Sequence, residues 1–180
     1  MGILFLIATP IGNLKDITIR AIETLFSVDA IACEDTRRAG ILLSQLRIVH
    51  QKLISEITEK KPHFISYFEG NELKRIPEIV TALKDGLSIA LISDAGTPLV
   101  SDPGFKLVRE CIHEGIRVES IPGPSSVISS LVSSGLPTDR FMFLGFPPKK
   151  SGKRKEFFSS VRKPRKLIQR LLFSWNLHTG

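Results

Sequence analysis

A chain of 180 residues that is 42% hydrophobic, with a mean hydropathy of +0.10, carries enough apolar material for one well-buried core and the start of a second. No stretch reaches the roughly 18 uninterrupted apolar residues of a membrane span, Met1-Gly2-Ile3-Leu4 lacks a basic leader, and Cys33 and Cys111 have no partner at metal-ligand or redox spacing. A cytoplasmic protein without a metal site is therefore expected, and its net charge of +7 is confined to one end, since residues 1–148 sum to −2 and residues 149–180 to +9.

The first 122 residues alternate short apolar runs with amphipathic stretches, the pattern of a mainly parallel α/β sheet of five strands flanked by helices. Residues 3–8 read as the first strand. They lead into Thr9-Pro10-Ile11-Gly12-Asn13-Leu14, a loop able to present backbone amides to a ligand. It matches neither GxGxxG nor GxxxxGK[ST], so neither a dinucleotide site nor a nucleoside triphosphatase is indicated. A helix over 17–26 and a strand over 30–33 follow, with Cys33 expected as a small buried strand residue. Glu34-Asp35-Thr36-Arg37-Arg38 then packs two acids and two bases around a helix start, where Asp35 or Thr36 serves either as a cap or in chemistry. The spacing predicts a helix over 36–46, an irregular connection over 47–62, a strand over 63–67 and a helix over 73–84.

A fourth strand, 88–92, precedes the densest run of unusual residues, Ser93-Asp94-Ala95-Gly96-Thr97-Pro98-Leu99-Val100-Ser101-Asp102-Pro103-Gly104. Such connections usually run to about two to six residues, and close backbone approach to a ligand is the use that suits this one. Asp102 is expected to cap, and Pro103 to open, a helix reaching 114. After a strand over 117–121, Pro122-Gly123-Pro124-Ser125-Ser126 places hydroxyls at the next helix start, where free amides point outward. A second unit is expected from residue 123, with a helix over 125–134, a stop at Gly135 and a strand over 141–146. Beyond Pro147-Pro148 the basic residues Lys149, Lys150, Lys153, Arg154 and Lys155 either attract phosphate backbones or solvate a terminus.

Ligands of open α/β sheets bind beyond the carboxyl ends of the strands, and the loops there carry a resemblance. Ala8-Thr9-Pro10-Ile11-Gly12-Asn13-Leu14, Ala32-Cys33-Glu34-Asp35-Thr36-Arg37, Asp94-Ala95-Gly96-Thr97-Pro98, Ser101-Asp102-Pro103-Gly104, Ile121-Pro122-Gly123-Pro124-Ser125 and Gly135-Leu136-Pro137-Thr138-Asp139-Arg140-Phe141 match in order and spacing. Over roughly residues 3–165 the chain resembles the tetrapyrrole methylase superfamily. Within it, the likeness is to bacterial enzymes that methylate a ribose 2′-hydroxyl of 16S ribosomal RNA. The resemblance implies two α/β lobes with S-adenosylmethionine in the cleft between them, assembled as a homodimer. It implies cofactor contacts at Pro10, at Asp94, Ala95, Gly96, Thr97 and Pro98, and at Ser125 and Ser126. Methyl transfer to the 2′-oxygen of a cytidine is a one-step displacement that needs alignment and removal of the hydroxyl proton. Glu34, Asp35 and Asp94 are the candidate carboxylates for that proton. Arg37 and Arg38 are candidate phosphate contacts, and residues 149–155 resemble the basic segment of the same enzymes.

Two departures stand out. The family pattern has two histidines flanking an acid ahead of Asn-Glu, whereas Tyr67-Phe68-Glu69-Gly70-Asn71-Glu72 places Phe68 and Gly70 at the histidine positions. Beyond Pro164-Arg165 the likeness ceases, so residues 123–180 are expected to form a truncated second lobe, with Leu167, Leu171, Leu172, Phe173 and Trp175 covering part of its exposed surface. Two other readings stay open on the residues alone. One is a methylase of tetrapyrrole intermediates, against which residues 9–14 and 34–38 speak; the other is a non-catalytic RNA-binding remnant held by the basic tail.

Overall fold

The computed structural model describes residues 1–57 and 60–162. At its centre is a wholly parallel sheet of β1 (Ile3–Ile7), β2 (Ala30–Cys33), β3 (His63–Ser66), β4 (Ile89–Leu91) and β5 (Arg117–Ile121), in the order β3-β2-β4-β1-β5. Because successive strand residues point to opposite faces, Ile7, Ile31, Cys33, Ala90 and Ile121 belong to one core, and Leu4, Ala30, Ala32, Ile89 and Leu91 to the other. Helices cover both faces, which explains why these strands are apolar along their length rather than alternating. On the first face α1 (Ile19–Leu25), α2 (Thr36–Val49) and α3 (Gln51–Ser55) bury Ile22, Leu25, Leu43, Leu46 and Ile54. On the second, α4 (Glu72–Lys84) and α5 (Phe105–His113) bury Ile79, Leu83, Leu107 and Cys111. The short helix α6 (Ser126–Ser133) follows β5.

The five strands and the α/β class agree with the sequence reading; the differences lie at helix starts and beyond β5. The expected helix over 17–26 is present as α1 but begins two residues later, at Ile19. A single 3₁₀ turn occupies Leu14–Asp16, and Thr18 then restarts the chain as α1 by accepting the Ala21 amide on its hydroxyl. The connection over 47–62 is not wholly irregular, since α2 continues to Val49 and α3 packs Ile54 into the core at helical spacing from Leu46. Asp102 and Pro103 do not begin α5. Gly104 takes the cap position at φ 132°, a conformation outside any helix, and leaves both in the preceding loop.

Residues 141–146 are not a strand. A strand needs a neighbour to satisfy its backbone; among the described residues none pairs with this segment, and Phe141 and Met142 are exposed. Residues 1–143 form one compact unit, containing the sheet and α1 to α6, and a second unit begins at Leu144 and contains α7 (Ser151–Arg162). The apolar segment 167–175 lies outside the described residues.

Candidate active site

Crevices form beyond a parallel sheet where neighbouring strands send their connections over opposite faces. β4 meets that condition on both sides. Its neighbours β1 and β2 lead to α1 and α2 on one face, whereas β4 itself leads to α5 on the other. Three loops converge at this point. Thr9, fully buried after β1, pairs with Gly96: its amide donates to the Gly96 carbonyl at 2.9 Å and receives the Gly96 amide on its own carbonyl at 3.0 Å. The Thr9 hydroxyl donates to the Ser93 carbonyl at 3.2 Å. Thr97 ties the β4 loop to the β5 loop by donating its hydroxyl to the Pro124 carbonyl at 3.1 Å, and Ser125 caps α6 by accepting the Ile128 amide. The segments expected to hold a cofactor, Pro10, Asp94 to Pro98, and Ser125 with Ser126, are thus joined by hydrogen bonds between their loops.

The loop over 93–104 is held in conformations that side chains resist. Leu99 and Ser101 have φ of 71° and 67°, and a left-handed conformation costs a non-glycine residue about 1–2 kcal/mol. Strain of this kind persists only where the surroundings enforce it. Two glycines give the loop its remaining freedom. At Gly96, with φ 86°, a Cβ would stand 3.3 Å from Ile11 Cγ2. At Gly104 a Cβ would stand 2.7 Å from Leu91 Cδ2 and 3.1 Å from Leu99 Cδ1.

A cleft of about 210 Å³ opens between the β1 and β4 loops and α2, lined among others by Thr9, Pro10, Cys33, Leu42, Ile92 and Asp94. Burial pushes the Cys33 thiol up to about 12, so at neutral pH it is a protonated apolar wall residue. The three carboxylates expected to do chemistry differ in what they hold. Asp35 is the cap of α2: its carboxylate accepts the Arg37 and Arg38 amides at 2.9 and 3.4 Å and also the Arg37 guanidinium at 3.1 Å, which lowers its pKa. Asp94 is paired with Arg38 at 2.8 Å. Glu34 makes no side-chain hydrogen bond or ion pair among the described residues. Burial, then the charges of Asp102 and Asp94, raise its pKa above the ordinary carboxylate range, with Arg38 acting in the opposite sense.

Arg37 and Arg38 are both exposed, yet each is engaged by an aspartate in this conformation. Lys149 and Lys150 precede α7, and Lys153, Arg154 and Lys155 lie on it, all five exposed and in the second unit. At the two positions where the family pattern has histidines, the departures are coupled. A Cβ at Gly70 would lie 2.9 Å from Phe68 Cε2, so the Phe68 ring fills the space a larger residue would need.

Sequence reasoning missed four contributors. In the sequence Thr9 and Ser93 are only members of loops, and the bond that joins them spans 84 residues, which no local pattern signals. Asp102, expected as a helix cap, instead faces the carboxylate cluster, where burial raises its pKa against a hydrogen bond from Ser93 that lowers it. Glu72, marked in the sequence only as the retained acid of the Asn-Glu pattern, is the first residue of α4 and is buried, which its local spacing does not signal.

The chain matches the family described as Tetrapyrrole (Corrin/Porphyrin) Methylases over residues 4–168. It is 51% identical over 160 residues to the Ribosomal RNA small subunit methyltransferase I of Haemophilus influenzae, covering 89% of this chain and 52% of that protein. To the protein of the same name in Thermotoga maritima it is 46% identical over 168 residues, covering 93% of this chain and 70% of that one. The chain thus spans about half the length of the Haemophilus relative. Among solved structures, the uroporphyrin-III-C-methyltransferase of Thermus thermophilus superposes with a TM-score of 0.53 at 19% identity, over 76% of this chain and 54% of that one, and shares the fold.

Proposed function

Because this chain belongs to the tetrapyrrole methylase family, we propose that it serves S-adenosylmethionine-dependent transfer of a methyl group to the ribose 2′-hydroxyl of a cytidine in 16S ribosomal RNA. The observation that carries this reading is the division of labour among the carboxylates at the sheet edge. Asp35 and Asp94 hold cationic or amide donors, while Glu34 is left unengaged among the described residues and its pKa is raised by burial and by the charges of Asp102 and Asp94, the direction that suits a general base.

The residues present fit the cofactor. Pro10, Leu42 and Ile92 supply an apolar wall, Asp94 an acceptor for hydroxyls, and Gly96, at positive φ against Ile11, a close backbone approach. A cleft of about 210 Å³ is smaller than the roughly 300–1,000 Å³ of a complete small-molecule site, so it takes part of the molecule, and the open side of the loop with Ser125 and Ser126 takes more. When bound, the cofactor supplies an electrophilic methyl group on a sulfonium. Glu34 then accepts the proton of the attacking hydroxyl. Arg37 and Arg38 hold the neighbouring phosphates, where a planar guanidinium fork suits the geometry. The expected setting is a homodimer in the cytoplasm acting on the small subunit; no described helix is long and apolar enough to cross a membrane.

Calorimetric titration with S-adenosylhomocysteine tests the reading, with saturation near one site per chain expected. A folded chain that binds none would overturn it. The basic segment makes a separate prediction. Reversing Lys153, Arg154 and Lys155 to Glu should weaken small-subunit RNA binding by on the order of 10-fold and flatten its dependence on salt, since each lost phosphate contact reduces the slope by about 0.7 on single-stranded RNA. Unchanged binding in a filter or mobility assay across a salt series would remove these residues from the RNA surface.

A further inference from the structure

The loop over 93–104 is anchored near its start by Thr9 and Pro124, and a different group holds its end. The Gly104 amide donates to Glu72 Oε1 at 3.1 Å, in a buried setting. The same oxygen receives the hydroxyl of Tyr67, the residue after β3, at 2.9 Å, and Oε2 receives Lys106 Nζ, in the first turn of α5, at 2.9 Å. Glu72 is 5% exposed and Tyr67 fully buried. Burial works to raise the Glu72 pKa, but Lys106, Tyr67 and the Gly104 amide together outweigh it and hold the carboxyl below its ordinary range.

Burying a carboxylate costs several kcal/mol before its partners offset it, and joining α4 to α5 does not require one, because Ile79, Leu83, Leu107 and Cys111 already form a common core there. What a carboxylate adds is an acceptor for an amide without a helical partner. The Gly104 amide, at φ 132° and ahead of α5, is such a group. It closes a loop that contains two strained residues, Leu99 and Ser101, and would relax if either end were released. We propose that Glu72 is a positioning residue for the cofactor loop, holding the exit of the 93–104 segment so that Asp94, Ala95, Gly96, Thr97 and Pro98 keep the arrangement that receives the cofactor. The inference rests on the cofactor reading above for its ligand, though not for the clamp itself.

The test compares Glu72→Leu and Glu72→Gln with Ile79→Val, a change in the α4 core that touches neither the loop nor its bonds. Amide hydrogen exchange and S-adenosylhomocysteine affinity are measured on each, at matched thermal stability reached by adjusting temperature. In Glu72→Leu the amides of residues 95–104 should lose protection by about 10-fold or more, and affinity should fall by about 10-fold, whereas Ile79→Val leaves both at wild-type values. Glu72→Gln keeps one acceptor oxygen and should fall between the two. Equal loop protection and equal affinity in Glu72→Leu and Ile79→Val would reduce Glu72 to a packing residue and overturn the proposal. If the wild type binds no S-adenosylhomocysteine, the cofactor reading fails, while the exchange data still decide whether Glu72 holds the loop.

Discussion

On the proposed function, Glu34→Gln is expected to lower methyl transfer to small-subunit RNA by about 10²- to 10⁴-fold, the range that a positioned general base contributes, and to leave S-adenosylhomocysteine affinity unchanged. The variant keeps the size of the side chain and removes its ability to take a proton. Since burial and the charges of Asp102 and Asp94 raise the Glu34 pKa, the wild-type rate should climb with pH through a value above the ordinary carboxylate range, and the variant should lack that limb. Stability responds in the opposite sense. The folded chain holds the Glu34 proton more tightly than the unfolded chain does, so its contribution is present below the unfolded pKa and is lost as pH rises through the folded one. Glu34→Gln should therefore be at least as stable as wild type at neutral pH. Asp35→Asn serves as the contrast: an amide oxygen still accepts the Arg37 and Arg38 amides, so the cap and most of the rate survive. A rate-versus-pH series on the three proteins decides the matter, and full activity in Glu34→Gln with a loss in Asp35→Asn would move the base to the other carboxylate.

Gly104→Ala is the second large effect. The new Cβ meets Leu91 Cδ2 at 2.7 Å and Leu99 Cδ1 at 3.1 Å, and neither can withdraw easily, because Leu91 is buried in the β4 core and Leu99 packs against the same cluster. Overpacking costs about 1–3 kcal/mol, and a side chain at φ 132° adds about 1–3 kcal/mol of backbone strain. The expected loss is about 2–6 kcal/mol, a large share of the stability of a domain of this size. Urea denaturation should show a lower midpoint at unchanged slope. S-adenosylhomocysteine binding should be lost even where the variant remains folded, because relief of the clash displaces the loop end. Wild-type stability and binding in Gly104→Ala would mean that the loop tolerates another path and that its geometry does not matter to the ligand.

Much of this protein is written in contiguous residues. The short, continuous apolar runs at 3–8, 30–33, 63–67, 88–92 and 117–121 predict the strands, and glycine, proline and hydroxyls cluster in the loops after the first, fourth and fifth, at the carboxyl edge. Such patterns are legible because strand pleat, helix turn and turn chemistry are local properties of neighbouring residues. The limits of that reading are equally physical. Asp102-Pro103 has every local mark of a helix start, yet Gly104 takes the cap position because its amide is needed by Glu72, 32 residues earlier. Residues 141–146 have the composition of a strand and no neighbour to pair with among the described residues.

The choice among Glu34, Asp35 and Asp94 was likewise beyond local rules. Asp94 is engaged by Arg38 across 56 residues, and Thr9 meets Gly96 across 87. Both pairings exist only because the strand order β3-β2-β4-β1-β5 sets the loop after β4 between those after β2 and β1. By itself the sequence determined the five strands, the α/β class and the loops at the carboxyl edge, since these follow from local patterns of neighbouring residues. The tertiary structure alone decided which carboxylate is left unengaged and how the strained loop is held, because both depend on partners that only the crossing of the chain brings within hydrogen-bond distance.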